Sequence, residues 1–171
     1  MAEPLKIAVD VSSLSGGSAP RGIGRYLSAM LAARRERPDV EVMTFDERAG
    51  RWRGSAADRA AAEAAQAGAD AFWSPAQHPP KASPLPCLQT LHDLTPIVFA
   101  SKLTRDEARH WRRLGPTLAR ADAIVCPSRS SARQGVEHLA LDEARVHVVY
   151  HGISPEFRPI DVAELDVPYL L

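Results

Sequence analysis

The chain has 171 residues, enough for one domain of roughly 150 residues with a real core and too few for a second complete one. Its 21 basic and 21 acidic side chains cancel without a long run of either sign, so no nucleic-acid partner is expected. No apolar stretch approaches the roughly 20 residues that span a bilayer, and Met1 to Lys6 is too polar for a signal peptide, so a cytoplasmic location is expected.

Short apolar runs alternate with helical patterns, which predicts an α/β fold: a Rossmann-like, doubly wound, mostly parallel sheet with helices on both faces. Strands are predicted near 5–11, 40–45, 70–74, 86–91, 123–127 and 145–150. The first run leads into Ser15-Gly16-Gly17 and then Arg21-Gly22-Ile23-Gly24-Arg25-Tyr26, which opens a helix with Ile23, Leu27, Met30 and Leu31 on one face and Pro38 bounding its end. A strand that feeds a helix through a flexible loop presents bare backbone N–H groups and a positive dipole end, which suits a phosphate-bearing ligand. Neither standard fingerprint is met. Gly17 and Gly22 have the first Walker spacing, but Ile23-Gly24 stands where Lys and Ser/Thr are required, and Leu27 stands where the third dinucleotide glycine belongs. A tight strand-to-helix turn explains the same glycines, and both readings stay open.

Further along, Ser55 and Asp58 have capping-box spacing ahead of an alanine-rich helix that stops at Gly68; its weak apolar stripe predicts an outer, half-exposed position. Thr104 and Glu107 open a helix in which Trp111, Leu114 and Leu118 share a face and Pro116 should introduce a kink. The last helix starts after Pro127, with Ser128 or Ser131 as its cap. Cys87 and Cys126 fall inside predicted strands as small buried hydrophobes, and His78, His110, His138 and His147 are not spaced as a metal set, so no metal is expected. From His151 onward Gly152, Pro155, Pro159 and Pro168 break any period. The expected division is a domain over 1–150, a linker over 151–167, and the first strand of a further, missing C-terminal domain at 168–171.

In a sheet of order 3-2-1-4-5-6, strands 1 and 4 would be neighbours at the switch point, and the loops leaving their carboxyl ends would enclose a ligand crevice. The loop after strand 4 begins Thr90-Leu91-His92-Asp93. This order therefore predicts that the glycine turn and His92 share one crevice. A histidine satisfied by a backbone carbonyl, and an aspartate capping the next turn, remain the alternatives for His92 and Asp93.

Together with Ile7-Ala8-Val9-Asp10, the GIGRY run at 22–26, Asp70 to Pro75, Leu91 to Leu94, Ala121 to Val125 with Pro127-Ser128, and Val148 to Pro159, these motifs resemble the N-terminal half of family 4 glycosyltransferases, enzymes of two facing Rossmann-like domains (the GT-B fold). The flavour is that of mannosyltransferase-like members of polysaccharide biosynthesis. The resemblance implies transfer of a sugar from a nucleotide-diphosphate donor, of the GDP-mannose or UDP-sugar type, to a carbohydrate or lipid-linked acceptor, with retention and without metal or other cofactor. It assigns catalysis to His92 and Asp93, and the donor diphosphate to Gly16, Gly17, Gly22, Gly24 and Arg25. The acceptor-side cleft takes Asp10, Arg21, Tyr26 and Ser128.

It also implies that the donor-binding half is missing, so that this chain alone would have little activity and would self-associate or pair with a partner C-terminal half. Three further readings compete. One is a non-catalytic α/β binding module or subunit of a split transferase. Another is peripheral contact with the inner membrane face through the helix of Arg109 to Arg120, with Trp111, Arg112 and Arg113. The third is a dinucleotide oxidoreductase using Asp46, disfavoured by the missing glycine.

Overall fold

The computed structural model describes residues 3–15, 19, 21–46, 56–76, 79–99, 104–154 and 157–159, with the backbone alone at 106–108, 110–112 and 114. Gly16, Gly17, Ser55, His78 and 168–171, and the side chains of Glu107, His110, Trp111, Arg112 and Leu114, therefore lie outside the described residues. Among the described residues there are six strands: β1 (Leu5–Asp10), β2 (Val40–Phe45), β3 (Ala71–Ser74), β4 (Cys87–Thr90), β5 (Ala123–Cys126) and β6 (Val146–Val148). They form one all-parallel sheet, within a residue or two of the predicted spans.

The strand order is β2-β1-β3-β4-β5-β6, which corrects the expected 3-2-1-4-5-6. β1 does not neighbour β4, because β3 lies between them. The direction of winding reverses between β1 and β3. Local periodicity identifies strands but not their neighbours, and here the neighbour is fixed at the strand starts. Asp70 N–H donates to the Lys6 carbonyl at 2.8 Å while its carboxylate accepts the Lys6 N–H at 2.8 Å. Asp122 repeats the device with Cys87, its N–H donating at 2.9 Å and its carboxylate accepting at 2.8 Å. Ala69-Asp70-Ala71-Phe72 and Ala121-Asp122-Ala123-Ile124 are thus two copies of one register pin, setting β3 on β1 and β5 on β4.

The helices are α1 (Gly22–Ala33), α2 (Ala56–Gln66), the one-turn α3 (Thr95–Val98), α4 (Arg105–Leu118) and α5 (Arg129–Leu139). On one face of the sheet, α1 lays Leu27 and Leu31 against Ile7, Val9, Val42, Trp73 and Leu88. Met30, expected on the same stripe, is 43 % exposed and instead borders an apolar cavity of about 390 Å³ between α1 and the strands. On the other face, α2 packs Ala60, Ala61 and Ala64 against Ala8 and Phe72, and α4 and α5 close over Ile124 and Cys126.

The position of α2 departs from the expected outer helix: Ala57, Ala60, Ala61 and Ala64 are all buried. Alanines give a weak stripe, yet their small size lets the helix approach the sheet while Phe72 supplies the volume. Gly68, just past α2, has φ +83°, the left-handed conformation that its stop signal anticipated. Both cysteines are free and buried, and burial pushes the thiols up, Cys87 to about 12 with the Asp122 carboxylate adding to the effect, and Cys126 to about 11.

Two stability measurements follow. Asp122→Ala leaves the Cys87 N–H without its carboxylate and is expected to cost about 1–2 kcal/mol in urea unfolding, with Asp122→Asn costing less. α5 ends on Ala140 at φ 53°, where an L side chain is strained, so Ala140→Gly is expected to raise stability by about 0.5–1 kcal/mol in the same assay.

Candidate functional site

In a doubly wound sheet the ligand crevice lies outside the carboxyl ends of the strands where the winding reverses. Here that point is between β1 and β3. Its walls are the loop after β1, the loop after β3, and the first turn of α1. β4 is one strand further away, and its loop joins the crevice only because His92 reaches back: the ring Nε2 lies 2.8 Å from the Pro75 carbonyl in the loop after β3.

A carbonyl can only accept, so this bond places the proton on Nε2 and leaves Nδ1 as the acceptor in the neutral ring. Burial holds His92 below the ordinary histidine range, and His151 pushes in the same direction, while the Pro75 bond and Asp93 oppose them. The His92 carbonyl is also occupied, accepting the Ser131 hydroxyl at 3.0 Å.

Around the ring stand Tyr26 from α1, edge-on with its centroid 5.1 Å away, and His151 from the segment after β6, at 6.2 Å. Tyr26 and His151 stack on each other at 4.8 Å with 27° between planes. The Trp73 indole N–H donates to the Thr90 hydroxyl at 3.0 Å, and Thr90 in turn is hydrogen-bonded to the Tyr26 hydroxyl. Burial raises the Tyr26 phenol and that Thr90 bond partly offsets it, so the phenol stays neutral at physiological pH.

The other sequence-predicted residues are placed as follows. Asp10, buried at the end of β1, accepts the backbone N–H of Ser12 at 2.9 Å and its hydroxyl at 3.0 Å, shaping the start of the glycine loop. Asp93 is exposed, and its carboxylate accepts the Thr95 N–H at 2.9 Å, starting α3, a helix the sequence reading missed. Arg21, Gly22 and Arg25 are exposed at the start of α1 while Gly24 is buried, and the Arg21 side chain, at the N-cap position, does not cap that helix. Ser128 caps α5, accepting the Ser131 N–H at 3.0 Å, and donates to the Ser131 hydroxyl, so it touches the site through the His92 carbonyl.

The structure thus brings Tyr26, His92 and, through Ser131, Ser128 together. Asp10 and Asp93 are turned to local backbone work. Trp73, Thr90, Ser131 and His151 complete the wall and were missed; only the alternation of β3 and β4 could have put Trp73 and Thr90 on the α1 face. Among the described residues no three His, Cys, Asp or Glu side chains converge as metal ligands would, and no helix is long and apolar enough to cross a membrane.

Residues 9–157 match the sequence profile described as Glycosyltransferase Family 4. Among solved structures the chain is similar to Anabaena HepE, determined in complex with UDP and glucose, with a TM-score of 0.52 and 18 % identity over 90 % of this chain and 48 % of that one. The chain therefore spans about half the length of that protein, whose likeness bears on the fold. A comparison with curated proteins gives no significant match.

The depressed His92 has a consequence for stability. The unfolded chain takes up a proton near pH 6.5, while the folded ring does so only at lower pH, so stability is present above that value and is lost as pH falls through the interval between the two. His92→Gln keeps a donor for the Pro75 carbonyl and cannot titrate. Urea midpoints at pH 7.5 and 5.0 are expected to fall less in this variant than in the wild type.

Proposed function

The chain belongs to glycosyltransferase family 4, and from that premise we propose that it forms the acceptor-side wall of a nucleotide-sugar transferase of the GT-B type, acting with a second domain of comparable size. The observation that carries this reading is the His92 ring, oriented by the Pro75 carbonyl and backed by Tyr26 at the rim of the crevice, next to the start of α1. Nδ1 of the neutral ring accepts a hydrogen bond from a hydroxyl of the donor sugar. That contact orients the sugar without placing a proton or a charge beside its anomeric carbon.

In the reaction proposed, the bond from the anomeric carbon to the diphosphate breaks with its electron pair leaving on phosphate, and the acceptor oxygen bonds to the same carbon with retention. The leaving group gathers negative charge, and the first N–H groups of α1 answer it with their dipole, Arg25 and Arg21 adding a solvated positive field. Gly24 is buried in that first turn, and Gly16 and Gly17 take the diphosphate by resemblance alone. The reading needs no metal in this half, and the preference for a mannose-like donor rests on the same resemblance. HepE, bound to UDP and glucose, supports a nucleotide-sugar donor.

A second reading, a non-catalytic binding module or split-enzyme subunit, draws on the bonds of Asp10 and Asp93, each of which accepts the backbone N–H two residues on in a local turn.

Calorimetric titration of the chain with GDP-mannose and UDP-glucose separates these readings from a self-contained nucleotide site. The expected result is donor binding weaker than about 1 mM, worth at most about 4 kcal/mol. Carbohydrate acceptors should bind measurably under the same conditions. Micromolar binding of either donor by this chain would overturn the two-domain reading, and acceptor binding that is absent throughout would overturn the acceptor-side assignment.

A further inference from the structure

β6 is the edge strand, yet the chain leaving it does not stay at the edge. Val149 N–H still bonds the Cys126 carbonyl at 2.9 Å, and two residues later His151 is stacked on Tyr26, whose hydroxyl reaches Thr90 of β4. The segment has therefore crossed back over the carboxyl ends of β5 and β4. Its remaining large side chains gain little from the domain: Val149 is 54 % exposed, Tyr150 63 % and Ile153 81 %.

We infer that His151 is a positioning residue of the candidate site: stacked on Tyr26, it fastens the segment that leaves β6 against the wall that carries His92. The inference deepens the transferase reading and rests on it for the identity of the site. Tyr26 is the shared element, since its ring is edge-on to His92 and face-on to His151, with Trp73 edge-on at 6.1 Å as well. A ring pair of this kind is worth about 0.5–1.5 kcal/mol beyond the area it buries, enough to order a short exposed segment by a factor of about two to ten.

His151, 6.2 Å away, also opposes protonation of the His92 ring. Among the described residues, the other groups facing His92 come from four elements. α1 contributes the neutral Tyr26, the loop after β3 the Pro75 carbonyl, α5 the neutral Ser131 on the His92 carbonyl, and the loop of His92 itself the Asp93 carboxylate, whose effect is opposite to that of His151. The tether thus does two things at once, holding the exit segment and helping keep His92 in the neutral form that accepts a hydrogen bond.

The test uses the whole chain without any sugar nucleotide, so its failure and failure of the transferase reading are separate results. NMR gives the titration midpoint of the His92 ring and the backbone order parameters of residues 150–153 for the wild type, His151→Ala, His151→Phe and Tyr26→Leu. His151→Ala is expected to raise the His92 midpoint and to drop the order parameters from about 0.85 to under about 0.6. His151→Phe keeps the ring and loses the charge, so it raises the midpoint while leaving the segment ordered. Tyr26→Leu releases the segment with His151 intact. Order parameters unchanged in His151→Ala, a segment as mobile in His151→Phe as in His151→Ala, or a His92 midpoint that ignores both substitutions overturns the inference.

Discussion

The reversal of winding between β1 and β3 is the constraint on which the rest of this structure depends. Parallel strands have no hairpins to set their order, so each crossover helix must choose a side and a face. After β2 the chain crosses the sheet on the α2 face rather than the α1 face, and β3 takes the free edge of β1. The consequence is a gap at the carboxyl edge where successive loops diverge. Pro75, the first residue of the loop after β3, then presents its carbonyl to that gap, and the ring of His92 comes to meet it.

Several polar groups near that edge are paired, and those pairs give the site its rigidity. Trp73 can only donate and finds Thr90; Thr90 reaches Tyr26; Ser128 caps α5 and passes its hydroxyl to Ser131, which closes on the His92 carbonyl. A buried hydroxyl or indole left alone would cost about 1–3 kcal/mol, so each pairing also excludes alternative side-chain positions. His92 is thereby oriented from its ring nitrogen and from its backbone at once. That is a stiffer mounting than a histidine on a free loop would have, and the neutral ring is a product of the burial that the mounting requires.

Much of the domain was legible in the chain. Six strands, the start of α1, the stop of α2 at Gly68 and a serine cap on α5, left between Ser128 and Ser131 by the sequence, follow from residue types whose effects are local: β-rich runs, a residue that tolerates positive φ, a hydroxyl at a helix start. The membership of a glycosyltransferase family was legible too, because it rests on the order and spacing of motifs and not on any contact. Less was legible where small residues carry the packing. The alanines of α2 read as a weakly amphipathic outer helix, yet their size is what lets it lie against Ala8 and Phe72. For Asp93 the sequence leaves chemistry and a turn cap both open, and the Thr95 N–H on its carboxylate shows the cap at the start of α3.

The sequence by itself determined the elements, the parallel α/β class, the family and the presence of a histidine at a strand end, because each is encoded within a few residues of itself or in the spacing of motifs along the chain. Only the tertiary structure decided which strands are neighbours, and with that which loops meet. The expected adjacency of β1 and β4 was wrong, yet Tyr26 and His92 do come together, through a helix that overlies the intervening strand. His151 joined them from 59 residues beyond His92, across an edge strand whose own periodicity gives no sign of where the chain goes next. Register pins, hydroxyl relays and ring stacks are contacts between residues far apart in the chain, and their partners are chosen by the closure of the fold.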